Sequence, residues 1–401
     1  MLFRLARFKP ASATLPNIGR LAALPLALFA QIALAQPLIP AAPKLAAEAW
    51  FLMDATTGTV LAEHNADIPL PPASLTKMMT TYIASSEIAA GRLTEQQPVR
   101  VSVNAWRKGG SSSGGSTMFL PPEEDALVID LLRGVIIQSG NDAAIALAEQ
   151  ISGDEDTFAK QMNQQAARLG MRATHFTNAT GLPAPAHRST ARDLARLAQA
   201  VIADHPKHYA LYAEREFKYN GISQPNRNSL LWRDASIDGL KTGHTEEAGY
   251  SLVASGERDG MRLISVVLGT RSEQARAAAS QKLLAWGFRY YVTHRLYGAE
   301  EILARERVWQ GRQREVPLGL GRELYLTIPR GAADLLTASI AVPPVLKAPL
   351  AAGEQIGTLG IDYQGEQILA EPLVVMTAVP QAGFFGRLWD GLKLFLLRLF
   401  G

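Results

Sequence analysis

Hydrophobic positions follow two different periods along this chain. Over residues 74–90 the apolar residues Leu75, Met78, Met79, Tyr82 and Ile83 recur at i, i+3, i+4, i+7 and i+8, which predicts a core-facing helix ended by Gly91. Ahead of it, Ala49–Asp54 and residues 60–63 are short apolar runs around Thr56-Thr57-Gly58, a predicted hairpin. Residues 128–138 and 142–151 read as two buried helices broken at Ser139-Gly140-Asn141, with Asn141 or Asp142 placed to cap the second. Strand-like alternation then takes over. It covers residues 237–245 and two runs, 250–254 and 262–268, that flank Asp259-Gly260 as a hairpin, and a helix over 275–291 follows.

Beyond that helix the runs become short and alternating, as in residues 323–328 and 367–375, with turns at Pro329-Arg330-Gly331 and Gln364-Gly365. A separate small β domain is expected over residues 296–380. Residues 384–401 close the chain. There Phe385, Leu388, Trp389, Leu392, Phe395, Leu396 and Leu399 share one helical face, opposite Arg387, Asp390, Lys393 and Arg398. So short and charged a segment is expected to lie in a membrane interface and not to cross it, with a helix docked on the protein's own core as the alternative. At the other end, residues 1–35 carry Arg4, Arg7, Lys9 and Arg20, an apolar run over 21–34 and Ala33-Leu34-Ala35 before Gln36. That order is a secretory signal, with an uncleaved amphipathic anchor as the alternative suggested by Gln31.

Composition narrows the chemistry. With 401 residues there is room for two cores; a net charge of +3 and no basic run argue against a nucleic-acid partner. Cysteine is absent, which removes thiol nucleophiles, disulfides and thiolate metal sites. The seven histidines form no metal pattern, and His205 and His208, separated by Pro206, are expected in a solvated loop. No cofactor and no metal are expected.

Three short motifs carry candidate chemistry. Ser74 and Lys77 lie one helical turn apart, so a hydroxyl nucleophile meets an amine that Met78 partly desolvates. Alone, Ser-x-x-Lys is equally a plain helix start. Ser139-Gly140-Asn141 offers a hydroxyl and an amide, or simply a turn and a cap. In Lys241-Thr242-Gly243, Gly243 leaves room for a substrate backbone, Thr242 supplies a hydroxyl and Lys241 a charge suited to a carboxylate; in isolation it is a strand end. The Gly/Ser-rich residues 107–117 are by composition a flexible linker, or else the border of an active site.

Together, in this order, the three motifs are the signature of active-site serine penicillin-binding proteins and β-lactamases. From about Leu45 the chain resembles the low-molecular-mass penicillin-binding proteins that are serine D-alanyl-D-alanine carboxypeptidases, of the penicillin-binding protein 5 and 6 type. The likeness also takes in Thr174-His175-Phe176, Asn226-Arg227-Asn228, Leu231-Trp232 and the stretch from Tyr325 to Gly331. It implies an α+β fold: a β-lactamase/transpeptidase-like catalytic domain over 45–291, an antiparallel sheet flanked by helices, before the small all-β domain and the amphipathic helix. By resemblance Ser74 is the nucleophile, Lys77 its proton acceptor and Ser139 the proton relay. Asn141, Lys241, Thr242, Gly243 and His244 bind substrate, with Arg227 and Arg271 as further candidates for its carboxylate. The backbone N–H groups of Ser74 and His244 form the oxyanion hole.

The implied substrate is a peptidoglycan pentapeptide and the implied inhibitors are β-lactams. The implied location is periplasmic, at the outer face of the cytoplasmic membrane. A β-lactamase is the nearest alternative, but no Glu lies between Thr157 and Ala213 to activate a deacylating water. A D,D-endopeptidase would use the same chemistry with a larger leaving group. A non-catalytic wall-binding scaffold would need none of Ser74, Lys77, Ser139 and Lys241 together.

Overall fold

The computed structural model describes residues 39–400. The signal expected over residues 1–35 lies outside the described residues. Two compact units are present, Pro40–Tyr290 and a second from Tyr291 onward.

In the first unit β1 (Ala49–Asp54) and β2 (Val60–His64) form the N-terminal hairpin, and the helices α1 (Lys77–Ala89), α2 (Val103–Gly109), α3 (Val128–Arg133), α4 (Asn141–Ser152), α5 (Glu155–Arg168) and α6 (Ala191–Asp204) follow. The strands β3 (Ile237–Thr245), β4 (Gly249–Arg258) and β5 (Met261–Thr270) and the helix α7 (Glu273–Tyr290) complete it. The sheet is antiparallel, in the order β2-β1-β5-β4-β3. Its first strand pairs with its last, Ala49 facing Leu268 and Asp54 facing Leu263. Central β5 is buried over both faces, which is why its sequence is almost continuously apolar. β3 is an edge strand, so one side of its backbone is free of sheet partners.

α1 departs from its predicted stripe. Leu75, Met78, Met79, Tyr82 and Ile83 are buried as expected, but so are Lys77, Thr80, Thr81 and Ser85. Helices and loops surround α1, so its polar side chains find hydrogen bonds instead of water: Thr80 donates to the carbonyl of Ala179 (2.7 Å), and Thr81 lies 2.7 Å from the Tyr212 hydroxyl. The His205–His208 stretch also differs from a solvated loop. Pro206–Tyr209 is a helical turn; His205 sits 2.9 Å from Ser86 Oγ with its ring edge-on to Tyr82, and His208 lies 3.0 Å from Glu95.

The second unit is β-rich. Its strands are β6 (Tyr291–Tyr297), β7 (Ala304–Trp309), β8 (Glu315–Gly319), β9 (Leu324–Pro329), β10 (Leu336–Ala341), β11 (Leu346–Lys347), β12 (Gln355–Tyr363) and β13 (Glu366–Val375). β6 pairs with β9, and the others form a sheet in the order β10-β12-β13-β8-β7-β11. Alternate residues such as Val316, Leu318, Leu359, Ile361, Leu373 and Val375 build its core. The last helix, α8 (Phe384–Phe400), docks on this unit by its polar side: Asp390 accepts a hydrogen bond from the Gln310 N–H (2.8 Å), and Leu394 is buried. Its apolar face is left outward, with Phe385 83%, Leu388 63% and Trp389 60% exposed.

Candidate active site

Ser74 lies on a 3₁₀ turn, Ala73–Thr76, that runs directly into α1. Side chains at i and i+3 eclipse in a 3₁₀ turn, which places Lys77 Nζ 3.1 Å from Ser74 Oγ. Ser74 is half-buried and Lys77 wholly buried. Lys77 Nζ also donates to Asn141 Oδ1 (2.7 Å) and to the carbonyl of Thr180 (2.6 Å). Those two oxygens can only accept, whereas the Ser74 hydroxyl can also donate. An ammonium satisfies all three as donor, and a neutral amine does so with two N–H groups for the obligate acceptors and a lone pair for the Ser74 hydroxyl. Burial, aided by the Arg227 charge and opposed by Asp142 and Glu155, brings the Lys77 pKa down to about 7. The neutral form is therefore accessible near neutrality, and in it Lys77 can take the Ser74 proton.

The second motif sits at the break between α3 and α4. A π-helical turn, Gly134–Gln138, ends at Ser139 in the left-handed region (φ 61°, ψ 30°), and this aims the hydroxyl at β3. Lys241 Nζ donates to Ser139 Oγ (2.9 Å) and to the carbonyl of Thr242 (3.1 Å). Lys241 and Ser139 are each 2% exposed. Burial, then the charges of Lys77, Arg227 and Arg276, hold its pKa well below the usual lysine range.

Neither Asn141 nor Asp142 caps α4; the N-cap is Gly140. Asp142 is drawn elsewhere because its carboxylate accepts from Thr117 Oγ1 (2.7 Å), Met118 N (2.8 Å) and Leu120 N (3.1 Å). The Asn141 N–H donates to the carbonyl of Ser116 (2.8 Å). These bonds fix the end of the Gly/Ser-rich segment against α4, and Gly114, Gly115 and Ser116 line the cleft.

The end of β3 crosses the Ser74 turn at Gly243. A Cβ there would lie 3.0 Å from the carbonyl oxygen of Pro72 and 3.3 Å from the Ala73 Cβ, so any larger residue would push the strand and the turn apart by a few tenths of an ångström. His244 follows, exposed and stacked on Tyr250 at 3.9 Å. Thr242 is buried. Arg227 lines the cleft and donates from Nε to the carbonyl of Gln138 (3.2 Å). Arg271 is exposed just past β5 and is not brought to the cleft.

Three contributors have no motif in the sequence. Arg276, on α7, is 4% exposed, donates to the Gly243 carbonyl (3.3 Å) and lies 5.6 Å from the Tyr250 ring. Gly181 (φ +84°) packs so closely under the turn that a Cβ would fall 1.8 Å from the Ala73 carbonyl oxygen. His187 accepts from the Thr177 N–H at Nδ1 (3.0 Å), which leaves its proton on Nε2, 2.7 Å from Thr76 Oγ1. Burial, aided by nearby positive charge, lowers the His187 pKa to about 4, so it stays neutral in this role. The only trace of Arg276 in the sequence is an arginine in an otherwise small and apolar helical stretch.

The resulting cleft has a volume of about 350 Å³, with Ser74, Asn141, Arg227 and His244 on its walls. No carboxylate lines it among the described residues. Among the described residues there is also no cluster of three or more His, Asp or Glu arranged to hold a metal ion.

Residues 36–272 match the D-alanyl-D-alanine carboxypeptidase family, and residues 291–381 match the C-terminal domain of penicillin-binding protein 5. D-alanyl-D-alanine carboxypeptidase DacC of Escherichia coli is 46% identical over 377 residues, 93% of this chain and 94% of that protein. The crystal structure of penicillin-binding protein 5 from Haemophilus influenzae superposes with a TM-score of 0.80 at 39% identity, covering 85% of this chain and all of the other. Penicillin-binding protein D2 of Listeria monocytogenes, solved in an ampicillin-bound form, is 30% identical with a TM-score of 0.54 over 62% of this chain and all of that one. Motifs, fold and relatives agree: this chain belongs to the D-alanyl-D-alanine carboxypeptidase family of serine peptidases.

Proposed function

We propose that this protein is a serine D,D-carboxypeptidase that removes the terminal D-alanine from peptidoglycan pentapeptides and is acylated by penicillins. The observation that carries the mechanism is the environment of Lys77 Nζ, with two obligate acceptors, one hydroxyl and a pKa near neutrality. Ser74 Oγ attacks the carbonyl carbon of the penultimate D-alanine and its proton passes to Lys77. The negative oxygen of the tetrahedral intermediate is held by the N–H groups of Ser74 and His244, which the Gly243 crossing brings together. The C–N bond then breaks, and the proton that Lys77 took from Ser74 passes through Ser139 to the leaving amine, which leaves Lys77 neutral again. Water attacks the Ser74 ester and gives a proton to Lys77, which returns it to Ser74 Oγ as the ester bond breaks and the shortened peptide leaves.

Substrate is placed by Asn141, by the backbone at Gly243 and by Arg227, which meets the terminal carboxylate. Lys241 acts through Ser139, and Thr242 holds the strand end. Among the described residues the cleft lacks the carboxylate that class A β-lactamases use for fast hydrolysis of the penicilloyl ester, so we expect the adduct on Ser74 to be lost slowly. The test is a time course of intact mass after benzylpenicillin, with the adduct mapped, beside D-alanine release from a pentapeptide. A lasting adduct on Ser74 with D-alanine release supports the proposal. Rapid loss of the adduct would make the protein a β-lactamase, and absence of both reactions would leave a scaffold.

We also infer that the protein works in the periplasm, held on the outer face of the cytoplasmic membrane by α8. No described helix is long and apolar enough to cross a membrane, yet α8 turns a row of large apolar side chains outward. Removing residues 384–401 is expected to release the protein from membranes with its activity intact; continued sedimentation with membranes would refute the anchor.

A further inference from the structure

A second cleft, of about 530 Å³, opens between α8 and β7. Its walls are apolar at one end, where Leu396, Leu397 and Phe400 project from α8, and Trp309 lies beneath. Two cations stand over it. Arg307 stacks on the Trp309 ring at 3.8 Å, and Lys393 Nζ lies 5.2 Å from the Trp389 ring. Neither forms an ion pair among the described residues, although Glu315 is the cross-strand neighbour of Arg307. Asp390, one turn before Lys393, is occupied by the Gln310 N–H. The cleft thus joins two cations that make no direct ion pair to an apolar wall on the helix whose outer face is itself unpartnered, with the Asp390 carboxylate one turn from Lys393 and Glu315 across the strand from Arg307.

We propose that this cleft binds an anionic phospholipid, with its phosphate between Arg307 and Lys393 and an acyl chain against Leu396, Leu397 and Phe400. Charge complementarity selects the headgroup, and the continuity of the wall with the exposed face of α8 selects a lipid over a free anion. The proposal rests on the interfacial reading of α8 and adds a lipid class to it. It also makes the β-rich unit, through Arg307, part of the membrane contact.

The experiment is cosedimentation of the full-length protein with vesicles of phosphatidylcholine alone and with vesicles containing phosphatidylglycerol. It compares the unchanged protein with Arg307→Gln, Lys393→Gln and Arg398→Gln, each checked for folding by thermal melting and benzylpenicillin labelling. Diffuse attraction to an anionic surface is worth about five-fold in affinity per cation, which is all Arg398→Gln should lose. Arg307→Gln and Lys393→Gln should each lose at least about ten-fold on phosphatidylglycerol vesicles, beyond that diffuse effect, while binding to phosphatidylcholine is kept. Equal losses for all three variants would overturn the site and leave only surface charge. Competition by inorganic phosphate would assign the cleft to a free anion and overturn the lipid. Binding to neither vesicle would refute the anchor itself, and the lipid site with it.

Discussion

Lys241 Nζ donates to Ser139 Oγ across 2.9 Å, joining β3 to the turn before α4 through two buried side chains. The hydroxyl is at once the proposed proton relay and the partner of a buried amine. Ser139→Ala should slow D-alanine release by about 10²–10⁴-fold. It should also lower stability by about 1–3 kcal/mol, because Lys241 loses its partner. Adding Lys241→Met should recover part of that stability and none of the activity. Denaturant unfolding and D-alanine release together decide it; a stable, active Ser139→Ala protein would remove Ser139 from the mechanism.

The neutral form of Lys77 is the reactive one, so acylation by benzylpenicillin should rise about ten-fold per pH unit below about 7 and level off above it. Stability carries the same sign. The folded pKa is below the unfolded lysine value, so between about 7 and 10.5 the unfolded chain holds the extra proton and stability increases with pH. The burial penalty is fully present below pH 7. In Lys77→Met this contribution disappears, and the wild-type-minus-variant difference in unfolding free energy against pH reads it. A flat difference would contradict the buried amine.

Two glycines near the cleft should respond differently to alanine. Gly181→Ala would press a methyl group into the Ala73 carbonyl in a left-handed backbone, and should cost about 2–3 kcal/mol or more and abolish acylation. Gly114 is also left-handed (φ +70°) but opens on space, so Gly114→Ala should cost only the backbone strain, about 1 kcal/mol. Equal losses in unfolding free energy would mean that the close approach under Ala73 is not what requires Gly181.

Arg276 is a positioning residue, acting through the Gly243 carbonyl on the neighbouring His244 N–H. Arg276→Met should lower kcat by about 10–100-fold, less than loss of an oxyanion donor itself, with little change in KM. Removing its charge should also raise the Lys241 pKa, read by the pH dependence of the Lys241 ammonium signals in NMR, which a purely structural role would not do. Arg276→Lys should restore part of both.

The sequence made the ordered elements legible because their signals are local. The α1 stripe, the β4–β5 hairpin and α8 each state their own period, and the three motifs name Ser74, Lys77, Ser139 and Lys241. What it hid depends on contacts between distant segments. The Gly/Ser-rich stretch reads as a linker until Asp142, some 25 residues on, fixes Thr117, Met118 and Leu120. Lys241 reads as a charge at a strand end, and only the fold shows its bond to Ser139. Arg276 and Gly181 carry no motif at all, since their value lies in which backbone carbonyl they meet.

The pairing of β1 with β5 has a consequence for how the protein comes into being. Ala49 finds its partner only at Leu268, and the turn bearing Ser74 is closed by segments near residues 139, 181 and 243. Contacts of such sequence separation form late and together. A chain complete only as far as α1 therefore has its nucleophile but no reactive site, and labelling by penicillin becomes a clock for the completion of folding.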